Sequence, residues 1–335
     1  MQNPPPRLTS AQGCGGRIRV LTQDFVVEEI PAYSPSGDGE HLFLWVEKSG
    51  MDTPQLARLM ARELELPERE VSYAGLKDRQ ALTSQFYCVP ARVEGKVPTL
   101  HLAGAKVHRW VRHRNKLRTG HLRGNRFQVR IREVHNPEAA TAVLAELRRT
   151  GFPNYFGPQR FGATGNNAAL GKGILLGKSS GVSRFERKLY LSAYQSLLFN
   201  RLLAARIEQG TLEHAMLGDV MQKMDSGGIF LCEDPSAEQS RLERFEISPT
   251  GPLFGPKMPR PGGEVAERED AVLRAEGLTL EGFSQGRGET AGGRRAYRLP
   301  LGNPGLRQQD KDLWISFELP KGSYATVVLH ELMGD

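Results

Sequence analysis

The alternation of apolar and polar residues predicts several β-strands in the first part of the chain. Segments Ile18–Ile30 and His41–Lys48 are rich in β-branched and aromatic residues. The turn-forming sequence SPSGDGE separates them, which favours a hairpin. Two further strands are predicted at Ser84–Arg92 and Phe127–Val134. In the latter, apolar residues alternate with polar or basic ones, so one face is expected to be buried and the other basic.

Other segments have helical spacing. Thr53 and Pro54 are expected to be the N-cap and first position of an amphipathic helix that stops before Pro67. Asn136 and Pro137 predict a second helix start, with Gly151 at its end. A long helix is expected over Leu191–Arg206 and a strand over Leu313–Leu319, whereas Gly322–Leu332 is ambiguous between the two.

The order of these elements suggests an interrupted domain. Gly- and Pro-rich sequence around residues 246–264 and 280–294 separates the early strands from the late one. A domain with an insertion fits this order, and two domains in series also fit it. With 335 residues, either arrangement can bury a sizeable core.

Composition excludes some classes of protein. No apolar stretch approaches the roughly 20 residues that a spanning helix needs, so we do not expect a membrane protein. The Pro- and Gly-rich start lacks the apolar run of a secretory signal, which predicts a cytoplasmic protein. Cys14, Cys88 and Cys232 are far apart and predict reduced thiols, with Cys88 buried in a strand. No metal site is expected, and the H-x-E and P-C-x-x-C segments of the zinc deaminases do not occur.

The positive charge is concentrated in one region. Of 45 Lys and Arg and 38 Asp and Glu, residues 1–150 hold 23 and 16, and the remaining residues hold 22 of each. The stretch from Lys106 to Arg132 contains ten Lys or Arg and no acid. This density favours a surface that binds nucleic acid over a merely solvated basic face.

The segment YAGLKDRQALTSQ, residues 73–85, is the most suggestive chemically, because a glycine turn presents Asp78 between Lys77 and Arg79. Neighbouring cations favour the charged carboxylate, which can act as a nucleophile or a base. From the residues themselves, a local salt bridge is the more common explanation.

The sequence around Asp78 resembles the signature of the TruD family of pseudouridine synthases, and six other segments match the family in the same order. The matching segments are QDFVVEE (23–29), EHLFLWVEKSG (40–50), GLKDRQALTSQ (75–85), His113–Phe127, PNYFGPQRFG (153–162), LSAYQSLLFN (191–200) and GSYATVVLHEL (322–332). The matches span nearly the whole chain. The chain is therefore identified as a member of this family.

The resemblance implies a fold and a domain organisation. The expected fold is α/β (α+β), a pseudouridine-synthase core with a mixed, mainly antiparallel sheet that is interrupted by an inserted TRUD domain. We assign residues 1–150 and 300–335 to the catalytic domain and residues 151–299 to the inserted domain.

The resemblance also implies a reaction, the isomerisation of uridine to pseudouridine in transfer RNA, with uridine 13 of the D arm as the usual target. Asp78 is the expected catalytic carboxylate, and no cofactor or metal is expected. The expected substrate-binding residues are Phe25, Asn125, Phe127, Tyr324, Arg19 and Lys77. We expect a monomer whose partner is tRNA. The alternative is a catalytically silent RNA-binding or RNA-folding protein on the same scaffold.

Two residues of the site depart from the family's pattern. Arg19 occupies a position where relatives carry Lys, which keeps the charge and adds a planar fork suited to a carboxylate, so a pairing of Arg19 with Asp78 is expected. Tyr324 replaces the Phe of some relatives, so a stacking role survives and an added hydroxyl needs a partner.

The segment GKGILLGKS, Gly171–Ser179, superficially resembles a phosphate-binding loop. Five residues separate its first glycine from G-K-S, whereas the motif requires four. We therefore expect a structural turn there.

Overall fold

A computed structural model describes residues 4–178, 181–284 and 290–334. The strands are β1 Phe25–Pro31, β2 His41–Lys48, β3 Ser72–Tyr73, β4 Leu82–Pro90, β5 Ala105–His113, β6 Leu122–Ile131, β7 Phe152–Pro153, β8 Val220–Lys223, β9 Ile229–Leu231, β10 Ile247–Leu253, β11 Gly293–Ala296, β12 Arg298–Leu299, β13 Gly302–Gln309 and β14 Asp312–Pro320. The helices are α1 Thr53–Glu63, α2 Pro137–Thr150, α3 Asn167–Leu175, α4 Arg184–Glu208, α5 Pro235–Glu243, α6 Gly263–Ala275, α7 Leu280–Ser284 and α8 Ala325–Met333.

The chain divides into two compact units. We call the unit formed by Cys14–Thr141 and Leu301–Ser323 the sheet unit. The helical unit consists of Met1–Gly13, Ala142–Pro300 and Tyr324–Asp335. Each unit thus joins segments that are distant in sequence.

The sheet unit is built on an eight-stranded sheet. Its strand order is β13-β14-β6-β1-β4-β2-β5, and β3 pairs with β4 outside this path. The pairing of β1 with β4 is parallel, and the other recorded pairings in the sheet are antiparallel. The predicted mixed, mainly antiparallel sheet is therefore confirmed.

The predicted hairpin between the first two strands was wrong. β1 and β2 both pair with β4, which lies between them. Apolar alternation specifies which face of a strand is buried and not which strand is its neighbour, and the turn-rich linker of residues 32–40 permits either arrangement. β5 was not predicted because none of its residues is buried, so the strand lacks an apolar pattern.

One face of the sheet holds the main core of this unit. Leu42, Leu44 and Val46 of β2 are fully buried there, together with Leu56 and Met60 of α1. The spacing of those two helical residues gives α1 an apolar stripe that packs on the sheet. The predicted amphipathic helix is confirmed.

The start of α1 differs from the prediction. Asp52, rather than Thr53, is the N-cap, and its carboxylate accepts a hydrogen bond from the Gln55 amide. Both residue types are good caps, so the sequence pattern did not separate them. The hydroxyl of Thr53 therefore makes other contacts, which are described below.

The helical unit is organised around α4, a 25-residue helix capped by Ser183. α3 packs closely on α4 at Gly171, where an added Cβ would lie 2.1 Å from the Tyr190 carbonyl oxygen. Gly171 therefore serves helix packing, and α3 ends in the turn around Gly177, which has φ of 69°. Ser179, the last residue of the loop-like motif, lies outside the described residues.

Candidate active site

Asp78 lies in the loop between β3 and β4, and its side chain is 51 % exposed. Lys48, the last residue of β2, holds the backbone of this loop through hydrogen bonds. Its ammonium donates hydrogen bonds to the carbonyl oxygens of Met51 at 2.7 Å and Asp78 at 3.1 Å, and lies 3.5 Å from that of Lys77. The Lys48 side chain is buried, and this burial lowers its pKa to about 8.

Thr53 provides a second support for the same loop. Its hydroxyl accepts a hydrogen bond from the Lys77 amide at 2.9 Å and donates one to the Gln85 side chain at 2.9 Å. Gln85 in turn donates to the Gly75 carbonyl at 2.9 Å. All these contacts are buried or partly buried, so α1 and β4 together fix the path of the chain around Asp78.

Arg19 pairs with the Asp78 carboxylate. One guanidinium nitrogen, Nη2, lies 3.3 Å from Asp78 Oδ2. The same guanidinium lies over the Phe25 ring, 4.4 Å from its centroid, in cation–π contact. The backbone at Arg19 has φ of 58°, and Nε is buried without a hydrogen-bond partner among the described residues. The predicted pairing of these residues is present in the structure.

Although Lys77 is next to Asp78 in the sequence, its side chain is paired with a different carboxylate. Its ammonium is buried and forms an ion pair with Glu29 of β1, Nζ to Oε2 3.0 Å. Burial raises the pKa of Glu29, while the Lys77 ammonium opposes that shift. Arg79 donates to the Gly50 carbonyl. The cation paired with the Asp78 carboxylate is thus Arg19 rather than either neighbour in sequence.

A row of paired residues crosses five strands on the face that carries Lys48. Lys48 pairs with Thr83, Thr83 with Val27, Val27 with Phe127, and Phe127 with Phe317. Paired residues point to the same face of a sheet. Phe127 stacks on Phe317 with ring centroids 5.3 Å apart and meets the edge of Phe25 at 6.2 Å.

Asn125 lies two residues before Phe127 and therefore on the same face. Its Oδ1 atom is buried and accepts no hydrogen bond from the described residues. A buried oxygen without a donor is costly unless a ligand provides one. Asn125 is therefore suited to accept a hydrogen bond from a bound molecule.

The close approach of a neighbouring strand explains why position 124, just before Asn125, is a glycine. A Cβ at this position would lie 2.2 Å from the Leu319 carbonyl oxygen of the neighbouring strand β14. The close approach of β6 and β14 sets the position of Asn125 and Phe127.

Tyr324, the remaining predicted site residue, belongs to the helical unit. It immediately precedes α8, and its ring meets that of Phe156 at 6.2 Å. Arg295 lies 4.1 Å above the Phe156 ring, and Arg160 lies 5.5 Å from the same centroid. Tyr324 thus takes part in an aromatic and arginine cluster of its own unit.

The basic stretch Lys106–Arg132 is less uniformly positive than its sequence. Arg112 pairs with Glu94, Arg114 with Asp38, and Arg126 with Glu28 and Glu318. Arg130 pairs with Asp312 and Arg132 with Asp24. Acids from other segments therefore neutralise half of the cations that the sequence places together.

Sequence reasoning did not place Lys48, Thr53 or Glu29 in the candidate site. A signal for Lys48 was present, because it continues the buried series Leu42, Leu44, Val46 at the strand's period of two. A lysine at a predicted core position needs a buried partner. No comparable pattern marked the other two residues.

Further observations bear on the class of site. Within the described ranges, no group of three His, Cys, Asp or Glu side chains is placed to hold a metal ion. No helix in the described part of the chain is both long and apolar enough to cross a membrane. Cys14, Cys88 and Cys232 are buried and form no disulfide with one another, and Cys88 lies in the strand β4 as predicted.

Comparison with known proteins gives a consistent result. The model of the family described as tRNA pseudouridine synthase D (TruD) matches residues 5–186 and 180–332. A tRNA pseudouridine synthase D from Anaeromyxobacter sp. (strain Fw109-5) is 47% identical over 341 residues, covering 99% of this chain and 97% of the relative. A protein of the same name from Thermus thermophilus is 45% identical over 324 residues, covering 96% of this chain and 89% of the relative.

A similar fold is known from a solved structure. A crystal structure described as tRNA pseudouridine synthase D (TruD) from Methanosarcina mazei matches with a TM-score of 0.83 and 25% sequence identity. The match covers 98% of this chain and 96% of that chain.

Proposed function

The chain belongs to the TruD family of tRNA pseudouridine synthases, which are isomerases, and from that membership we propose that Asp78 is its catalytic carboxylate. The observation that carries the proposal is the pairing of Arg19 with Asp78 at 3.3 Å. The carboxylate is half exposed, so a substrate can reach it, while Lys48 and Thr53 hold the loop that presents it.

The reaction itself needs few groups. The bond from sugar C1′ to base N1 breaks, the base turns, and C1′ joins base C5. The hydrogen leaves C5 and N1 gains one, so nothing is oxidised or hydrolysed. In this reaction a carboxylate can attack C1′, add to base C6 or abstract a proton from the sugar, and each role requires it beside the target nucleotide. We place Asp78 there.

We propose that the remaining predicted residues hold the uridine. Phe127 and Phe25, which are 7% and 2% exposed, form an apolar floor for the base, and the buried, unpaired Oδ1 of Asn125 can accept the N–H of uracil N3. Arg19 orients the carboxylate. Lys77 contributes through its ion pair with Glu29, which secures the loop. Tyr324 remains a predicted substrate-binding residue, and it belongs to the helical unit.

The proposed target is uridine 13 of the D arm, by resemblance to the family. We further propose a monomer that acts on tRNA in the cytoplasm. Residues 1–150 and 300–335 remain our prediction for the catalytic domain, with 151–299 as the inserted domain. The sheet unit, residues 14–141 and 301–323, holds Asp78 and is proposed to be the catalytic part.

The target can be tested with two tRNA transcripts that differ at one nucleotide. The full-length protein is incubated with a transcript carrying uridine at position 13 and with a control carrying cytidine there, and pseudouridine is mapped in both. We expect modification at position 13 of the first transcript and none in the control. Modification at another uridine in both transcripts would overturn the assignment of position 13.

A further inference from the structure

A concave region lies in the sheet unit at the end of β2 opposite to Lys48. It is an open groove of about 490 Å³ whose lining includes Tyr33, His113, Lys116, Arg118 and His121. We call it the histidine groove. His113 pairs with His41, the first residue of β2, whereas Lys48 is the last. Seven residue steps separate them, which is about 23 Å along a strand.

The aromatic side chains of the histidine groove are held in place. The Tyr33 ring stacks on His113 with centroids 5.1 Å apart and an interplanar angle of 22°. Its hydroxyl forms a hydrogen bond with Nδ1 of His121 at 2.9 Å. His113 also packs against Phe43 at 4.8 Å. These contacts fix the orientation of the Tyr33 ring and of the two imidazoles.

The protonation of His113 follows from its contacts. The Ser36 amide donates to Nδ1 of His113 at 3.1 Å. Since Nδ1 accepts this hydrogen bond, the ring proton of the neutral imidazole is on Nε2. His113 therefore keeps a donor that none of these contacts uses.

The groove is also positively charged. None of its lining residues, all within the described ranges, carries a carboxylate. Arg118 is exposed and forms no ion pair with any residue that the structure describes, in contrast to Arg112 and Arg114, which pair with Glu94 and Asp38. Lys116 donates to the Arg69 carbonyl and forms no ion pair with the residues that the structure describes.

From this combination we infer that the histidine groove binds a nucleotide of the tRNA other than the target uridine. Arg118 and Lys116 contact its phosphate, and the Tyr33 and His113 surface packs against its sugar or base. The distance along β2 means that a uridine at Asp78 cannot also fill the groove. This inference rests on the proposed function and adds a subsite to it. Imidazoles and aromatic rings beside unpaired cations favour RNA over an acidic peptide.

The test compares Arg118→Ala with Arg58→Ala. Arg58 is exposed on α1 of the same unit and is not part of the groove, so the control makes the same change in charge. Affinity for full-length tRNA is measured across a salt titration, and pseudouridine formation is measured in single turnovers at saturating tRNA.

For Arg118→Ala we expect affinity about tenfold weaker, as for the loss of one charged hydrogen bond. The plot of log affinity against log salt should be less steep by about 0.7 to 0.9, the value for one phosphate contact. The rate at saturating tRNA should be unchanged. Arg58→Ala should resemble the wild type in all three measurements.

Equal behaviour of the two variants would overturn the inference. Competition by inorganic phosphate that abolishes the difference between the variants, at phosphate concentrations near that of the protein, would also overturn it, because the groove would then be a site for small anions. The wild type reports on the proposed function separately. If it forms no pseudouridine, the enzyme assignment fails, while the binding comparison still decides whether the groove holds RNA.

Discussion

The ammonium of Lys48 donates a hydrogen bond to the backbone carbonyl of Asp78, with Nζ and O 3.1 Å apart. Lys48 is therefore a positioning residue, since it fixes the chain on which the carboxylate is mounted. We predict that Lys48→Met lowers kcat about tenfold or more with little change in KM, because a small displacement of a reacting group is costly. Steady-state kinetics on a tRNA substrate checks this. An unchanged kcat in a folded variant would contradict it.

The lowered pKa of Lys48 leads to a prediction about the pH dependence of activity and stability. Its pKa of about 8 lies below the ordinary value of 10.5, so the ammonium loses its proton as pH rises through 8 and the support of the Asp78 loop weakens. Activity should therefore fall above pH 8. The unfolded chain binds more protons between pH 8 and 10.5, so this group makes the folded state more stable as pH rises through that window. Lys48→Met should lose both effects, which pH profiles of activity and of urea unfolding can show.

We predict that activity depends more on the positive charge of Arg19 than on the shape of its guanidinium. Arg19→Lys keeps a cation that can reach Asp78, as in relatives with Lys at this position, and should retain most of the activity. Arg19→Met removes the partner of the carboxylate and should lower kcat by up to about a hundredfold. The comparison is made by single-turnover kinetics on folded variants. Equal rates for the two variants would show that the ion pair has no role in catalysis.

The buried pair of Glu29 and Lys77 should behave as a coupled unit. Glu29→Leu leaves the Lys77 ammonium buried without its partner and should lower the free energy of unfolding by about 3 to 5 kcal/mol. Combining it with Lys77→Met should cost less than the sum of the two single changes, because no unpaired charge remains. Urea denaturation of the four proteins measures the coupling. Additive losses would mean that the pair contributes no coupling energy.

Gly124→Ala is predicted to disturb the base-binding surface through the backbone. The added Cβ would meet the Leu319 carbonyl oxygen at 2.2 Å, so β6 and β14 must separate and displace Asn125 and Phe127. Gly95→Ala is a suitable control, because a Cβ there meets no atom within 4 Å. We expect Gly124→Ala to lose stability by about 1 to 3 kcal/mol, as in overpacked sites, together with activity. Loss of neither would indicate that the strands adapt.

Local patterns predicted the elements well and their partners poorly. β2 was predicted with its observed ends, because His41–Lys48 is rich in β-branched and aromatic residues and follows a turn-forming segment. β5 was not predicted because none of its residues is buried. The pairing of β1 with β4 was not predicted because it depends on contacts between segments more than fifty residues apart.

The same limit applies to the site. Asp78 and its partner Arg19 were both identified through the resemblance to the family, because the residues next to Asp78 do not reveal the pairing. Lys77 is adjacent in sequence, but the chain turns its side chain toward Glu29 on a distant strand. Likewise, half of the cations of residues 106–132 are paired with acids such as Asp24 and Asp312, which a count along the sequence cannot include.

The central claim is that the Asp78 carboxylate performs the chemistry. The most direct measurement is single-turnover pseudouridine formation by Asp78→Asn, with tRNA affinity measured in parallel. Asp310→Asn is the matched control, because Asp310 is exposed in the same unit and its φ of 53° is tolerated by Asn. We predict no pseudouridine from Asp78→Asn at wild-type affinity, and the normal rate from Asp310→Asn. Pseudouridine formation by Asp78→Asn at the normal rate would contradict the account.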